Sequence, residues 1–208
     1  MGKEKSAVPA RLAHLTRKVA GAVLDIVDDV PHTKHTQSNN ADERARRIAN
    51  AAAAKAALLA GGLALPPGPW GWMTILPDLV GIWKIQARMV GDMAGVYGKW
   101  GTLTREHLLY CLFRHAAAQV VRDVVVRVGD RLLVRTATLW ATQRAAERVA
   151  VIVTRQAIGK AVSRLVPIIG AVGVGAYAYY DTAQVARSAK EFFCGPIDLQ
   201  PRGFAFGR

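Results

Sequence analysis

Between Ala56 and Pro77 the chain carries no charged residue, yet Pro66, Pro67, Gly68 and Pro69 interrupt the run near its middle. Roughly 20 consecutive apolar residues would cross a bilayer as one helix. Proline lacks an amide hydrogen and clashes with the turn before it, so it ends a helix instead. The segment therefore predicts two helices meeting at a proline-rich turn, which is a helical hairpin. A second uncharged run, Leu165 to Tyr180, has 16 residues and is short of a span. Both runs read as buried helices, or as segments that touch a membrane without crossing it.

The rest of the chain follows helical spacing. Leu12, Leu15, Val19, Val23, Ile26, Val27 and Val30 recur at three- and four-residue steps, predicting a helix over 7–29 that Pro31 closes. His32 to Asn40 is polar and turn-rich and reads as a loop, with His32 and His35 as loop residues and not a metal pair. Asn40 or Asp42 suits the cap of the next helix, whose interior is rich in alanine, the best helix former. The returning helix of the hairpin is expected to begin near Pro77 or Asp78 and to stop at Gly98 and Gly101. Thr104 opens a further helix expected to run to Gly129, and the pattern from Arg131 to Arg164 also reads as helical. The valines at 120–128 and 149–153 favour strands by β-branching, but the spacing of the flanking charges keeps them in helices. A final Gly/Ala-rich helix follows Pro167 and ends before Gly195 and Pro196. The expected fold is all-α, a single multi-helix bundle with a central helical hairpin and a Gly/Ala-rich C-terminal helix. Its organisation is an N-terminal helix and polar loop (1–40), a helical domain (41–195) and a loose tail (196–208).

Composition limits the function classes. Residues with apolar side chains make up 51% of the 208, ample for a core without metal or disulfide staples. Cys111 and Cys194 stand far apart without metal-ligand spacing, so no secreted disulfide framework is expected, although one bond between a middle helix and the last is open to them. The start of the chain lacks the apolar core of a signal peptide, and Gly2 with Ser6 fits the myristoylation pattern formally. The net charge of +13 favours anionic partners, whether lipid headgroups, nucleic acid or an acidic protein. Arginines such as Arg44, Arg46, Arg47, Arg114, Arg122 and Arg127 could line a stripe for nucleic acid. Signatures of helix-turn-helix, zinc-finger and RNA-recognition domains are absent, so nucleic acid is set aside.

No nucleophile elbow or phosphate-binding loop occurs. The glycines in Gly170 to Gly175 lack the strand–turn–helix setting of a dinucleotide fold. His107 and His115 lie eight apart near Glu106, and no third metal ligand accompanies them. The prediction is a non-enzyme with no cofactor and no metal. A polar set stands out against the small apolar residues: Asp78, Gln86, Arg88, Asp92 and Asp181. Asp78 and Asp92 share a helix face, and Arg88 lies one turn before Asp92 and can pair with it. Asp181 interrupts an apolar face and needs a buried partner. These residues read either as a structural polar core or as a ligand site. Gly170, Gly173 and Gly175 would allow close helix packing and offer a surface for homo-oligomers.

The segment from Leu76 to Gly98 resembles the signature of the EcsC family, a Leu-Pro-x-Asp turn followed by a Gln-x-Arg helix ending in Ala-x-x-Tyr-Gly. Gln86, Arg88, Ala94, Tyr97 and Gly98 fit, while Asp78 follows Pro77 directly and makes the turn one residue shorter. The segment from Val166 to Phe193 is similar to that family's Pro-x-x-Gly-Ala helix. The resemblance covers roughly 45–194. It implies a bacterial helical protein and carries no catalytic residue.

The functional expectation is a cytoplasmic, peripherally membrane-associated protein that binds an anionic lipid surface or a membrane-protein partner. Trp70 and Trp72, with Leu65 and Met73, are the expected contacts, since tryptophan suits the headgroup boundary. The alternatives are a protein-interaction module of the inhibitor or immunity type with an acidic partner, and a toxin that perturbs membranes through its Gly-rich last helix.

Overall fold

The computed structural model describes residues 4–63, 71–114, 125–128, 131–134, 143–152, 154, 167–194 and 197–199, with side chains at 13–62, 77, 79–114, 143–152, 154 and 172–194. Long helices dominate: α1 (Glu4–Asp28), α2 (Ala41–Leu63), α3 (Gly71–Val96), the short α4 (Arg105–Phe113), α5 (143–152) and α6 (Pro167–Cys194). They form the expected all-α bundle. Helices α2, α3 and α6 make its framework. The N-terminal part of α2 meets the C-terminal part of α6 through a Lys190–Asp42 ion pair, so these two helices run antiparallel. Helix α3 is antiparallel to α2, with Tyr97 bonded to Asp42.

Small residues set the spacing. A Cβ placed on Gly175 would lie 3.0 Å from the backbone oxygen of Ala57, so α6 and α2 touch almost backbone to backbone. Around this crossing Ala56, Ala60 and Ala178 are buried, with Ile82, Ile85 and Val174 packed against them. The main core lies beyond it, where α1 contributes Val19, Val23 and Val27, α4 contributes Leu108, Leu109 and Phe113, and α6 contributes Phe192 and Phe193. Trp83 meets Phe113 edge-on at 5.3 Å between ring centroids, a geometry aromatic quadrupoles favour.

The structure corrects three local expectations. Helix α3 begins at Gly71, earlier than Pro77, and carries that proline inside it. Pro77 is the seventh residue of this helix, past the four amides that any helix start leaves unbonded, so it gives up one internal hydrogen bond, to the carbonyl of Met73. Second, α4 ends at Phe113 and strands appear where helix was expected: β1 (Val125–Val128) pairs antiparallel with β2 (Arg131–Val134). Val125, Val126 and Val128 supply β-branched side chains, and Gly129-Asp130 is the kind of dipeptide that joins hairpin strands. Third, part of the tail is ordered, since β3 (Ile197–Leu199) adds to β2 in parallel.

The polar segment between α1 and α2 is a loop, as expected, but a pinned one. It runs over the glycines of α3. A Cβ on Gly95 would stand 2.5 Å from the His35 carbonyl oxygen, and one on Gly91 would stand 3.1 Å from that of Pro31. The Thr33 hydroxyl donates to Asp92 at 2.7 Å, the Ser38 amide donates to the Val96 carbonyl at 3.1 Å, and the Trp100 indole donates to the Pro31 carbonyl at 3.0 Å. Gly98, at φ +71°, turns the chain at the end of α3 and leaves room for Gln37.

Candidate functional site

The two uncharged runs of the sequence meet at one end of the framework. There α2 finishes with 56–63, α3 starts with 71–83 and α6 starts with 167–180. Leu59 reaches over Gly81, where a Cβ would come within 2.8 Å of its Cδ2, and this locks α2 on α3. Among the described side chains the outward faces here are apolar or aromatic. Leu58 is 76% exposed, Val172 70% and Tyr180 62%, and Tyr177 and Tyr179 are exposed beside them. Asp78 is the single charged residue of these three stretches.

The opposite end is charged and cross-linked. The Asp42 carboxylate accepts from Tyr97 at 2.7 Å and from Lys190 at 2.8 Å. The Lys190 and Tyr97 bonds hold the Asp42 carboxyl below its ordinary range, and burial together with the Asp42 bond pushes the Tyr97 phenol up. Further pairs join Arg47 to Glu43, Arg114 to Glu191 at 2.5 Å and Arg105 to Asp28 at 3.1 Å. A shallow hollow opens beside this end, between Gln37 to Asn40 and the first turns of α2. It is lined by Glu43 together with Arg44 and Arg47 and has no enclosed floor, so it offers no defined ligand chemistry.

The predicted polar set divides. Gln86 is buried on α3 and its amide donates to Asp181 at 2.8 Å and to Thr182 at 3.2 Å, which supplies the partner Asp181 requires. Gln86 Oε1 is buried without a partner among the described residues. Arg88 and Asp92 approach only to 4.0 Å, with Arg88 largely in solvent, a pair that contributes little. Asp92 instead serves the loop through Thr33. The side chain of Asp78 lies outside the described residues, and so the five do not assemble into one described site. Of the expected packing glycines, Gly175 sits in a helix crossing, Gly173 faces open space, and the surroundings of Gly170 lie outside the described residues. Of the expected membrane contacts, Leu65 and Trp70 lie outside the described residues, while Trp72 and Met73 are placed in the first turn of α3 without described side chains.

Among the described residues no group of three metal-ligating side chains occurs. His115 lies outside them, and His107 is buried against Phe192 at 4.7 Å between ring centroids. Its Nδ1 accepts the Thr104 amide at 3.1 Å, fastening the start of α4. Cys111 is buried and Cys194 exposed, both as free thiols. No described helix is long and apolar enough to cross a membrane. No protein family, characterised protein or solved structure matches this chain.

The Asp42, Tyr97 and Lys190 cluster escaped sequence reasoning. Its members are spread along the chain, and sequence reasoning noted Asp42 only as a helix cap and Tyr97 only as part of the Tyr97-Gly98 ending. The exposed tyrosines of α6 were also missed, hidden inside a run read only as uncharged.

Proposed function

We propose that this protein is a non-enzymatic, EcsC-like helical module that associates peripherally with an anionic membrane surface through the uncharged end of its bundle. One observation carries the reading: α2, α3 and α6 bring their uncharged stretches to the same end, with Leu58, Val172 and Tyr180 exposed there. Large apolar groups that share one exposed end mark an interaction surface, whereas scattered ones need no explanation. The excess of positive charge selects a negative partner. Tyrosine adds an apolar ring with a polar tip, the combination suited to the boundary between lipid and water.

Vesicle flotation tests this. The protein should float with vesicles containing phosphatidylglycerol. A Leu58→Asp, Val172→Asp variant should lose at least about tenfold in affinity, since each of the two side chains stabilises by roughly 1.5–3 kcal/mol when fully buried. Both positions are exposed, so the variant should keep its helical circular dichroism. A folded protein that remains unbound in every lipid mixture rules the reading out. Binding to a detergent-extracted membrane protein without lipid dependence would favour a protein partner at the same end.

A further inference from the structure

The uncharged end has a defined edge. Leu59 lies over Gly81, and Ala57 and Gly61 lie against Gly175. Because α2 is antiparallel to both neighbours, this register puts Lys55 of α2, Lys84 of α3 and Tyr179 and Tyr180 of α6 at one height. The Gln86–Asp181 hydrogen bond fixes α3 against α6 at the same level. All four of these side chains are exposed. From Lys84 back to the start of α3 at Gly71 is roughly 20 Å of helix. That is about half the ~40–45 Å thickness of a bilayer with its headgroups.

Building on the lipid-surface reading, we propose that this end enters a single leaflet and stops where Lys55 and Lys84 meet the phosphates of anionic phospholipids. Tyr179 and Tyr180 mark the boundary. Lysine suits such an edge because its long stem can lie along apolar surface while the ammonium stays with phosphate and water. Tyrosine settles at the same depth. Farther along, the outward face of α6 becomes charged with Arg187 and Glu191, which no leaflet interior would accept.

The test compares two double variants with equal loss of charge. Lys55→Gln, Lys84→Gln removes the edge. Arg44→Gln, Arg187→Gln removes exposed charges toward the other end, beyond the ~10 Å over which salt at 0.1 M lets charges act. Binding is measured by flotation with phosphatidylcholine vesicles and with vesicles that also contain phosphatidylglycerol. The lysine variant should bind the anionic vesicles roughly thirtyfold more weakly than the unmodified protein, and the arginine variant within about threefold. Equal losses in both variants, or none in the lysine variant, overturn the edge while leaving surface binding intact. Equal binding of the unmodified protein to neutral and anionic vesicles does the same, whereas binding to neither sinks the lipid-surface reading itself. Depth is read from spin labels at Ala176→Cys and Arg187→Cys, each in a Cys194→Ser background, with Cys111 buried and unreactive. The label at 176 should be shielded from a water-soluble relaxation agent and the label at 187 should not. Equal accessibility overturns the proposal.

Discussion

Acidification should weaken this fold well before its carboxylates titrate, and His107 is the reason. The imidazole is fully buried at the start of α4, packed at a tilt against Phe192, with Nδ1 occupied by the Thr104 amide. The neutral ring therefore carries its hydrogen on Nε2, which has no partner among the described residues. Burial makes the charged form costly and lowers the His107 pKa from 6.5 to about 4, outweighing the opposing pull of the Thr102 backbone. Above pH 6.5 the ring is neutral in both folded and unfolded chains and exerts no pH dependence. Between 6.5 and 4 the unfolded chain takes up a proton that the folded chain refuses, so stability falls as pH falls. At pH 4.5 the loss comes to roughly 2.5 kcal/mol, a large part of the margin of an ordinary domain. Asp42, whose folded pKa is depressed, behaves differently: its contribution is complete above its unfolded value of 3.8 and disappears only at still lower pH. The two windows barely overlap. Urea denaturation followed by circular dichroism from pH 7.5 to 4.5 measures the effect. His107→Asn keeps an acceptor for the Thr104 amide but cannot titrate. Whatever its starting stability, it should lack most of the decline. A decline as steep in His107→Asn as in the unmodified chain would refute the assignment.

Two further outcomes rest on the glycines. Gly95→Ala should destabilise by roughly 1–3 kcal/mol, because the new methyl meets the His35 carbonyl and the Thr33 side chain. Gly21→Ala, where a Cβ meets nothing within 4 Å, should leave stability unchanged or raise it by up to about 1 kcal/mol, and thermal melting distinguishes the two. At the helix crossing, Gly175→Val should lower the melting temperature far more than Gly173→Val, since only Gly175 faces the α2 backbone. Equal shifts would contradict the close approach of α2 and α6.

What could be read in advance follows the range of the interactions. The hairpin was legible because proline chemistry is local. The Arg88–Asp92 pairing followed from helical periodicity, although 4.0 Å and exposure leave it weak. The need of Asp181 for a partner was legible from its apolar surroundings, and Gln86, already in the same predicted set, supplies it. Strands β1 and β2 were obscured because arginines three to five apart imitate a helix face, while the valine run and Gly129-Asp130 pointed the other way. The pinned loop was illegible for a different reason. Gly91, Gly95 and Gly98 look like helix-packing glycines, and nothing local says that an extended segment, not a helix, will lie across them. The bonds of Asp42 to Tyr97 and Lys190 cross 55 and 148 residues and exist only once three helices are in register.

The candidate site has the same dependence on register. Each uncharged run was visible alone, and a single apolar run is ambiguous because the interior of any bundle needs one. The ambiguity is removed by the outward faces. A helix that merely borders a core is polar on its solvent side along its whole length. Helix α6 is so only in its second half, with Arg187 and Glu191 exposed. In its first half the exposed face holds Val172, Gly173, Ala176, Tyr177, Tyr179 and Tyr180. Of the seven large apolar side chains exposed among the described residues, five belong to this end: Leu58, Val172, Tyr177, Tyr179 and Tyr180. In a chain with a net charge of +13, burial within the bundle cannot account for uncharged outward faces, because those faces are not buried. The described side chains of this end are uncharged and bounded at one height by Lys55 and Lys84, a pattern that suits the proposed partner, apolar at its centre and negative at its rim. A phospholipid leaflet has that profile along its normal.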